Sequence, residues 1–386
     1  MAKQNKPAIR FKGFTDAWEQ RKLGALCVEF KSGDFISASD IAENEAYPVY
    51  GGNGLRGFTN HYNHDGEYAL IGRQGALCGN VNYAVGKSYF TEHAVAVRAN
   101  KTNQTRFLYY LFSTMNLGQY SGQSAQPGLA VGNLVELENV VPSKPEQEKI
   151  ASFLSSLDNL ITLHQRKCDD TKKLKKYMLQ KMFPKNGEKK PEIRFAGFTD
   201  DWEQRKLGEV FEQTSNLVNP KEDEIELWSL TVEDGLTKKS DRYNREFLVK
   251  KDDNFKEVRP GDIVYNPMNM TLGAVGYNDM AKSVAVSGYY TTMVTKENYD
   301  TYYINTWLKS PQAIQLYRTY ATGSLIEKQR VQFPTLSIIP VAFPKYEEQT
   351  KIGSYFHSLD HLITLHQRKC DDLKNLKKYM LQNMFV

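Results

Sequence analysis

Apolar residues recur every three or four positions along two stretches of the chain, Ser156 to Phe183 and Ser358 to Phe385. No glycine or proline interrupts either stretch. The 3.5-residue period predicts two long α-helices, each with one apolar seam of the kind that pairs in a coiled coil. The candidate seam residues are Leu157, Ile161, His164, Cys168 and Met178 in the first helix, and Leu359, Ile363, His366, Cys370 and Met380 in the second. Where Lys175 and Lys377 interrupt the seams, we expect Leu174 and Leu376 to cover them.

The two helices are copies of one another, because the 28-residue segments match at 24 positions at a constant offset of 202. A second repeat, Ile9 to Gly24 and Ile193 to Gly208, matches at 14 of 16 positions. Repeats of this kind indicate that one structural unit is used twice. Since both seams are the same, we expect the helices to pack antiparallel about a pseudo-two-fold axis. Two ordinary amphipathic helices in separate cores are the alternative.

The regions between the repeats differ in sequence but share one layout. Each has a glycine followed by an acidic residue, an apolar strand, a polar loop, a further β run and an aromatic helix. In the first region the strand is Ala69–Gly72 and the helix spans Gln104–Met115. The predicted fold is therefore α/β (α+β), with two tandem modules joined by the long helices. The predicted domains are 1–24 (tail and repeated entry segment), 25–142 (first module), 143–184 (central helix), 185–208 (linker and second entry segment), 209–344 (second module) and 345–386 (C-terminal helix).

Composition narrows the class of protein. The net charge is +5, yet each module carries a net charge of −3. Neither module is a uniformly cationic surface, so nucleic acid would have to bind at local patches. The four cysteines form no CxxC or Cys/His cluster, which implies neither a zinc site nor a disulfide framework. We find no signal peptide and no apolar run long enough to span a bilayer, and we expect a cytoplasmic protein.

A search for catalytic residues returns no convincing set. Gly79 to Ser88 resembles a phosphate-binding loop, but its first glycine is two residues too far out. Asn266-Pro267-Met268-Asn269 lacks the second proline and the aromatic residue of the adenine-methyltransferase tetrapeptide. No metal site is predicted, and we expect a protein that is not an enzyme.

The polar loops instead suit recognition of base edges in the major groove of DNA by Arg, Lys, Asn and Gln side chains. For each of them a turn residue or a solvated side chain is the alternative interpretation. The DNA-binding candidates are Asn53, Arg56, Arg73, Gln74, Gln123 and Gln126 in the first module, and Asn266, Asn269, Lys328, Gln329 and Arg330 in the second.

The whole chain resembles the specificity subunit of type I restriction-modification enzymes. The resemblance rests on the duplicated IRFxGFTDxWEQRKLG segments, on the helix starts Pro-x-x-x-Glu-Gln-x-Lys-Ile (142–150 and 344–352), and on the duplicated SLDxLITLHQRKCDD helices. It implies two target recognition domains, each reading half of a bipartite DNA site, with the helices setting the separation of the halves.

The resemblance also implies partners. These are double-stranded DNA, two methylation subunits that use S-adenosylmethionine to methylate adenine, and ATP-driven restriction subunits. S-adenosylmethionine, ATP and Mg would then belong to the partners, and this chain would hold no cofactor. The alternatives are a stand-alone DNA-modifying enzyme or nuclease with an unrecognised site, and a coiled-coil adaptor that does not bind DNA.

Overall fold

The computed structural model describes residues 6–75, 77–121, 128–233, 235–238, 254–323 and 329–386. The chain forms two compact units, and each long helix contributes to both. Unit 1 contains residues 1–165 and 368–386, and unit 2 contains residues 166–367. The division therefore falls within the two helices, whereas the predicted domain limits treated each helix as one piece.

Unit 1 is built on an antiparallel sheet of order β2-β8-β5-β6, beside a smaller sheet of order β4-β3-β7 and a β1-β9 pair. Their bounds are β1 Glu19–Lys22, β2 Cys27–Ser32, β3 Tyr47–Gly51, β4 Gly54–Thr59, β5 Glu67–Gly72, β6 Val81–Val85, β7 Tyr89–Phe90, β8 Ala94–Ala99 and β9 Glu138–Val141. The helices are α1 Thr105–Thr114, α2 Val131–Glu136 and the first part of α3 Lys144–Lys181. The buried face of α1 packs with the strands and α3 in one core, which contains Trp18 of the entry segment.

Unit 2 repeats this plan with a sheet of order β11-β19-β16-β17, a β12-β15-β18 sheet and the pairs β13-β14 and β10-β20. The strands are β10 Glu203–Lys206, β11 Phe211–Thr214, β12 Leu217–Val218, β13 Trp228–Thr231, β14 Gly235–Lys238, β15 Phe255–Val258, β16 Ile263–Tyr265, β17 Val275–Tyr277, β18 Val284–Ser287, β19 Thr291–Thr295 and β20 Pro340–Phe343. The helices are α4 Leu207–Val210, α5 Thr301–Leu308, α6 Pro311–Tyr320, α7 Phe333–Ser337, the last part of α3 and the first part of α8 Tyr346–Asn383, whose last part belongs to unit 1. The mixed α/β prediction is thus confirmed, and so are the two long helices.

The repeated entry segment fastens the start of one helix to the end of the other. In unit 1 the Arg10 guanidinium donates from Nε and Nη2 to the Glu146 carboxylate at 2.7 and 2.8 Å. The backbone N–H of Ile9 donates to the carbonyl of Asn383. In unit 2 the equivalent pairs are Arg194 with Glu348 and Ile193 with Lys181. This double attachment explains why arginine at the entry and glutamate at the helix start are both repeated.

We expect Arg10→Met to cost about 3–5 kcal/mol of the free energy of unfolding, because it leaves the Glu146 carboxylate buried without its counter-ion. Glu146 is 1% exposed in the intact pair. The double variant Arg10→Met/Glu146→Met should recover most of that loss, since no unpaired charge remains. Arg21→Met is the control, because its ion pair with Glu19 is exposed and should contribute about 1 kcal/mol or less. Denaturant unfolding measures all three, and equal losses in Arg10→Met and Arg21→Met would contradict the prediction.

Candidate nucleic-acid interface

Three loops of unit 1 meet where β5 ends, and we call this region its loop edge. Backbone packing joins them, because a Cβ on Gly72 would lie 2.2 Å from the carbonyl oxygen of Gly52 in the β3–β4 turn. The N–H of Arg73 donates to the carbonyl of His93 in the turn before β8, at 3.0 Å. The N–H of Leu129 donates to the carbonyl of Arg73 at 2.8 Å. The loops are therefore held in fixed relative positions.

The loop edge of unit 1 brings four of the sequence candidates together. Asn53 and Arg56 lie exposed on the β3–β4 hairpin. Gln74 is exposed and forms a bridge with Gly128. Arg73 is half-buried; its Nη1 donates to Ser32 Oγ at 2.9 Å, while its buried Nε has no partner among the described residues. Gln123 and Gln126 lie outside the described residues.

The loop edge of unit 2 is a tight turn after β16. The side-chain oxygen of Asn266 accepts from the N–H of Met268 at 3.0 Å, and the N–H of Asn269 donates to the carbonyl of Asn266. Asn266 is half-buried, whereas Met268 and Asn269 are exposed. The side-chain oxygen of Asn266 therefore helps to shape the turn, whereas the Asn269 side chain is at the surface.

A second segment joins this edge through Val331, whose N–H donates to the carbonyl of Pro267 at 3.0 Å. Arg330, just before it, is exposed and pairs through its backbone with Thr322. Gln329 is half-buried, and Lys328 lies outside the described residues. Asn266, Asn269, Gln329 and Arg330 therefore lie on segments that meet at one end of the sheet.

The two loop edges occupy the same place in their units. Leu129 binds the carbonyl of Arg73 in unit 1 as Val331 binds that of Pro267 in unit 2. The side chains presented there differ, with Arg73 and Gln74 in one unit and Pro267 and Met268 in the other. A nearly identical frame thus carries two different sets of surface groups.

Polar contacts fix the α/β module of unit 1 to its helices. The Tyr110 hydroxyl on α1 donates to Asp158 Oδ2 on α3 at 2.7 Å, and burial raises the pKa of this phenol. Lys377 Nζ on α8 donates to Asp158 Oδ1 at 2.6 Å. Arg106 donates to Ser155 at 2.5 Å. One carboxylate therefore connects the module to both helices of its unit.

Within each unit the helices run antiparallel. Lys377 meets Asp158 in unit 1, where the Cys370 thiol also lies 4.0 Å from the carbonyl of Ile161. Lys175 meets Asp360 at 2.6 Å in unit 2, where the Cys168 thiol lies 3.9 Å from the carbonyl of Ile363. Higher numbers on one helix face lower numbers on the other in both units. Every predicted seam residue is buried or half-buried; these are Leu157, Ile161, His164, Cys168, Met178, Leu359, Ile363, His366, Cys370 and Met380.

A further surface was missed in the sequence. Leu160 and Leu163 of α3 and Leu376 and Tyr379 of α8 are 38–53% exposed in unit 1, and we call them the helix patch of that unit. The Asp158–Lys377 ion pair puts Leu160 and Leu376 at the same level of the two helices. The helix patch of unit 2 consists of Leu174, Tyr177, Leu362 and Leu365. Identical apolar residues outside the seam in both copies were the sequence signal for these patches.

Within the described parts of the chain, no group of three or more His, Cys, Asp or Glu side chains is arranged to hold a metal ion. In the same parts, none of the helices combines the length and the apolar character that crossing a membrane requires.

Comparison with known proteins places these features in a family. Residues 15–171 and 199–375 match the family model described as the type I restriction modification DNA specificity domain. The specificity subunit of the EcoprrI type I restriction enzyme from Escherichia coli is 45% identical over 146 residues, covering 37% of this chain and 36% of that subunit. The putative MjaX specificity subunit from Methanocaldococcus jannaschii is 25% identical over 98% of this chain and 87% of its own length. The crystal structure of the type I restriction-modification S subunit from M. genitalium has the same fold, with a TM-score of 0.71, 14% identity and 99% coverage of both chains.

The fold is thus that of two repeated α/β modules on paired helices. The family model matches two segments that together make up most of the chain, so the chain belongs to the type I restriction-modification DNA specificity family. The resemblance drawn from the repeated segments is confirmed. The matches to the E. coli subunit and to a Haemophilus influenzae relative cover 36% and 30% of those proteins.

Proposed function

We propose that this chain is the non-catalytic specificity subunit of a type I restriction-modification complex. Each module reads one half of a bipartite DNA site through its loop edge. The helices set the distance between the halves, and two methylation subunits dock on them. S-adenosylmethionine, ATP and Mg are bound by the partner methylation and restriction subunits.

This proposal rests on the contrast between the framework, which is repeated in both units, and the side chains at the loop edges, which differ between them. The entry segments, the buried Arg–Glu pairs and the helix seams are repeated, while the loop edges carry different side chains. Arg, Asn and Gln side chains read base pairs through paired hydrogen bonds in the major groove. Such groups at the same place in two modules are suited to reading two different short sequences. The net negative charge of both modules limits DNA contact to these local surfaces.

The docking proposal rests on the helix patches. Each unit exposes three leucines and a tyrosine on its helix pair. Exposed apolar clusters of this kind usually mark contact surfaces. The residues are the same in both copies of the helix. Two copies of one partner, bound once per unit, would cover them.

A module duplication tests the reading proposal within this chain. Residues 25–142 are replaced by residues 209–344, and the variant is combined with the methylation subunits. The two-fold arrangement that the repeated seams predict would then place identical readers in opposite orientations, and symmetric proteins read symmetric sites. We expect methylome sequencing to show an inverted repeat of the second half-site. A site that keeps both original halves, or one whose second half also changes, would contradict separate reading.

The purified chain without partners is the control of that experiment. We expect it to yield no methylated adenine and no cleaved DNA. Turnover by the rigorously purified chain would instead favour the stand-alone enzyme.

A further inference from the structure

Two aromatic rings stand out at the loop edges. Among the described phenylalanine, tyrosine and tryptophan residues, Phe35 of unit 1 and Tyr289 of unit 2 are the most exposed, at 76% and 89%. An exposed apolar side chain taken singly is ordinary. Here each unit has one aromatic ring that is more than three-quarters exposed, and each of these two rings lies where the strands reach the loop edge.

Tyr289 lies in the turn between β18 and β19, at the end of the sheet that carries Asn266. Tyr265, the last residue of β16, pairs with Thr291 at the start of β19. The turn with Tyr289 therefore lies beside the loop that follows β16. Sequence reasoning passed over this residue because nothing local shows that the turn faces the same way as the polar loop.

Hydrogen bonds fix the turn that carries Tyr289 on both sides. The N–H of Gly288 donates to the carbonyl of Asn254 at 2.9 Å, and a Cβ on Gly288 would lie 2.3 Å from that oxygen. Lys256 Nζ donates to the carbonyl of Tyr290 at 2.7 Å. The aromatic ring is thus held out from a fixed backbone.

Phe35 has the same kind of support in unit 1. The backbones of Asp34 and Thr91 form an isolated β-bridge, and the Tyr89 hydroxyl donates to the carbonyl of Phe35 at 2.8 Å. Gly33 packs so closely that a Cβ there would lie 2.1 Å from the carbonyl oxygen of Phe90. Ser32, at the end of β2, holds the guanidinium of Arg73, so this segment belongs to the loop edge.

We propose that Phe35 and Tyr289 each insert into DNA at a base step of their own half-site and stack on the exposed bases. This inference rests on the proposed function and adds a contact by which each module holds the duplex. Aromatic rings stack on any base, and apolar wedges that enter a base step kink the duplex. A ring held on a rigid turn loses little conformational freedom on binding, which favours such a contact.

The test uses the complex with its methylation subunits on the site that methylome sequencing defines. Duplexes carry the fluorescent adenine analogue 2-aminopurine, scanned through both half-sites, so that unstacking appears as increased emission. We expect Phe35→Ala to abolish the increase in the first half-site only and Tyr289→Ala in the second half-site only. Each should weaken DNA binding about tenfold, the scale of losing one aromatic–base stack. Phe35→Tyr and Tyr289→Phe keep the ring and should behave as the wild type.

Matched controls remove exposed aromatic rings away from the loop edges. Tyr62→Ala in unit 1 and Tyr346→Ala in unit 2 delete rings that are 42% and 51% exposed, and both should bind as the wild type. Unchanged binding and emission in Phe35→Ala and Tyr289→Ala, with a wild-type complex that methylates a bipartite site, would overturn this inference alone. A wild-type complex that methylates no such site would overturn the proposed function.

Discussion

Aspartate in place of Leu160 and Leu376 is expected to remove one methylation subunit from the assembled complex and to lower its affinity by about a hundredfold or more. Both side chains belong to the helix patch of unit 1 and lie at the same level of the helix pair. Burying two charges in an apolar contact is costly, and truncating a single central contact residue often costs 2 kcal/mol or more, about thirtyfold. The fold should persist, because both residues are already exposed in the free chain.

The repeat supplies a matched experiment on the other unit. Leu174→Asp/Leu362→Asp should remove the other methylation subunit, and the two pairs combined should leave the chain unbound. Val28→Asp is the control, because Val28 is an exposed apolar residue of unit 1 outside the helices. Sedimentation or native mass spectrometry gives the subunit ratio. A full complement of methylation subunits on the combined variant would rule out the helix patches as the docking surface.

The helix seams could be predicted from the sequence because they depend on a local period. Side chains three and four residues apart share a helix face whatever the rest of the chain does. The predicted helices agree with α3 and α8 for that reason. The two entry segments also pack on the cores of their units, since Trp18 and Trp202 are buried there.

The prediction for Leu174 and Leu376 was wrong, since both are exposed. Lys175 and Lys377 themselves occupy the seam, half-buried, and their ammonium groups reach Asp360 and Asp158 on the facing helix. A lysine stem can cover apolar surface while its charged end finds a partner. That partner lies on the other helix, 185 residues away in sequence for Lys175 and 219 for Lys377, so the spacing within one helix could not identify it.

The loop edges could be predicted only in part. The order of strand and polar loop identified the segments around Arg73 and Asn266, because a loop after a buried strand must emerge at one end of the sheet. The β3–β4 hairpin, α6 and the pinned turns of Phe35 and Tyr289 depend on contacts between distant segments. Whether the candidate side chains touch DNA remains a prediction.

Adding one heptad to both long helices is expected to lengthen the gap between the half-sites while leaving both half-site sequences unchanged. Each helix has 38 residues, which is about 57 Å at a rise of 1.5 Å per residue. Seven residues add about 10 Å, or about three base pairs at 3.4 Å each. A whole heptad keeps the seam facing its partner, whereas other lengths rotate it away.

The insertions belong after Lys167 and after Lys369, which are equivalent positions of the two copies. Matched insertions allow Asp158 to meet Lys377 in unit 1 and Lys175 to meet Asp360 in unit 2, as in the parent chain. An insertion after Lys167 alone leaves the helices unequal, so it should lengthen the gap less and lower activity as one helix buckles. Methylome sequencing of the three proteins with their methylation subunits decides the matter. Because the modules would move apart only if the helices hold them apart, an unchanged gap with full activity in the doubly extended chain would mean that another element sets the spacing.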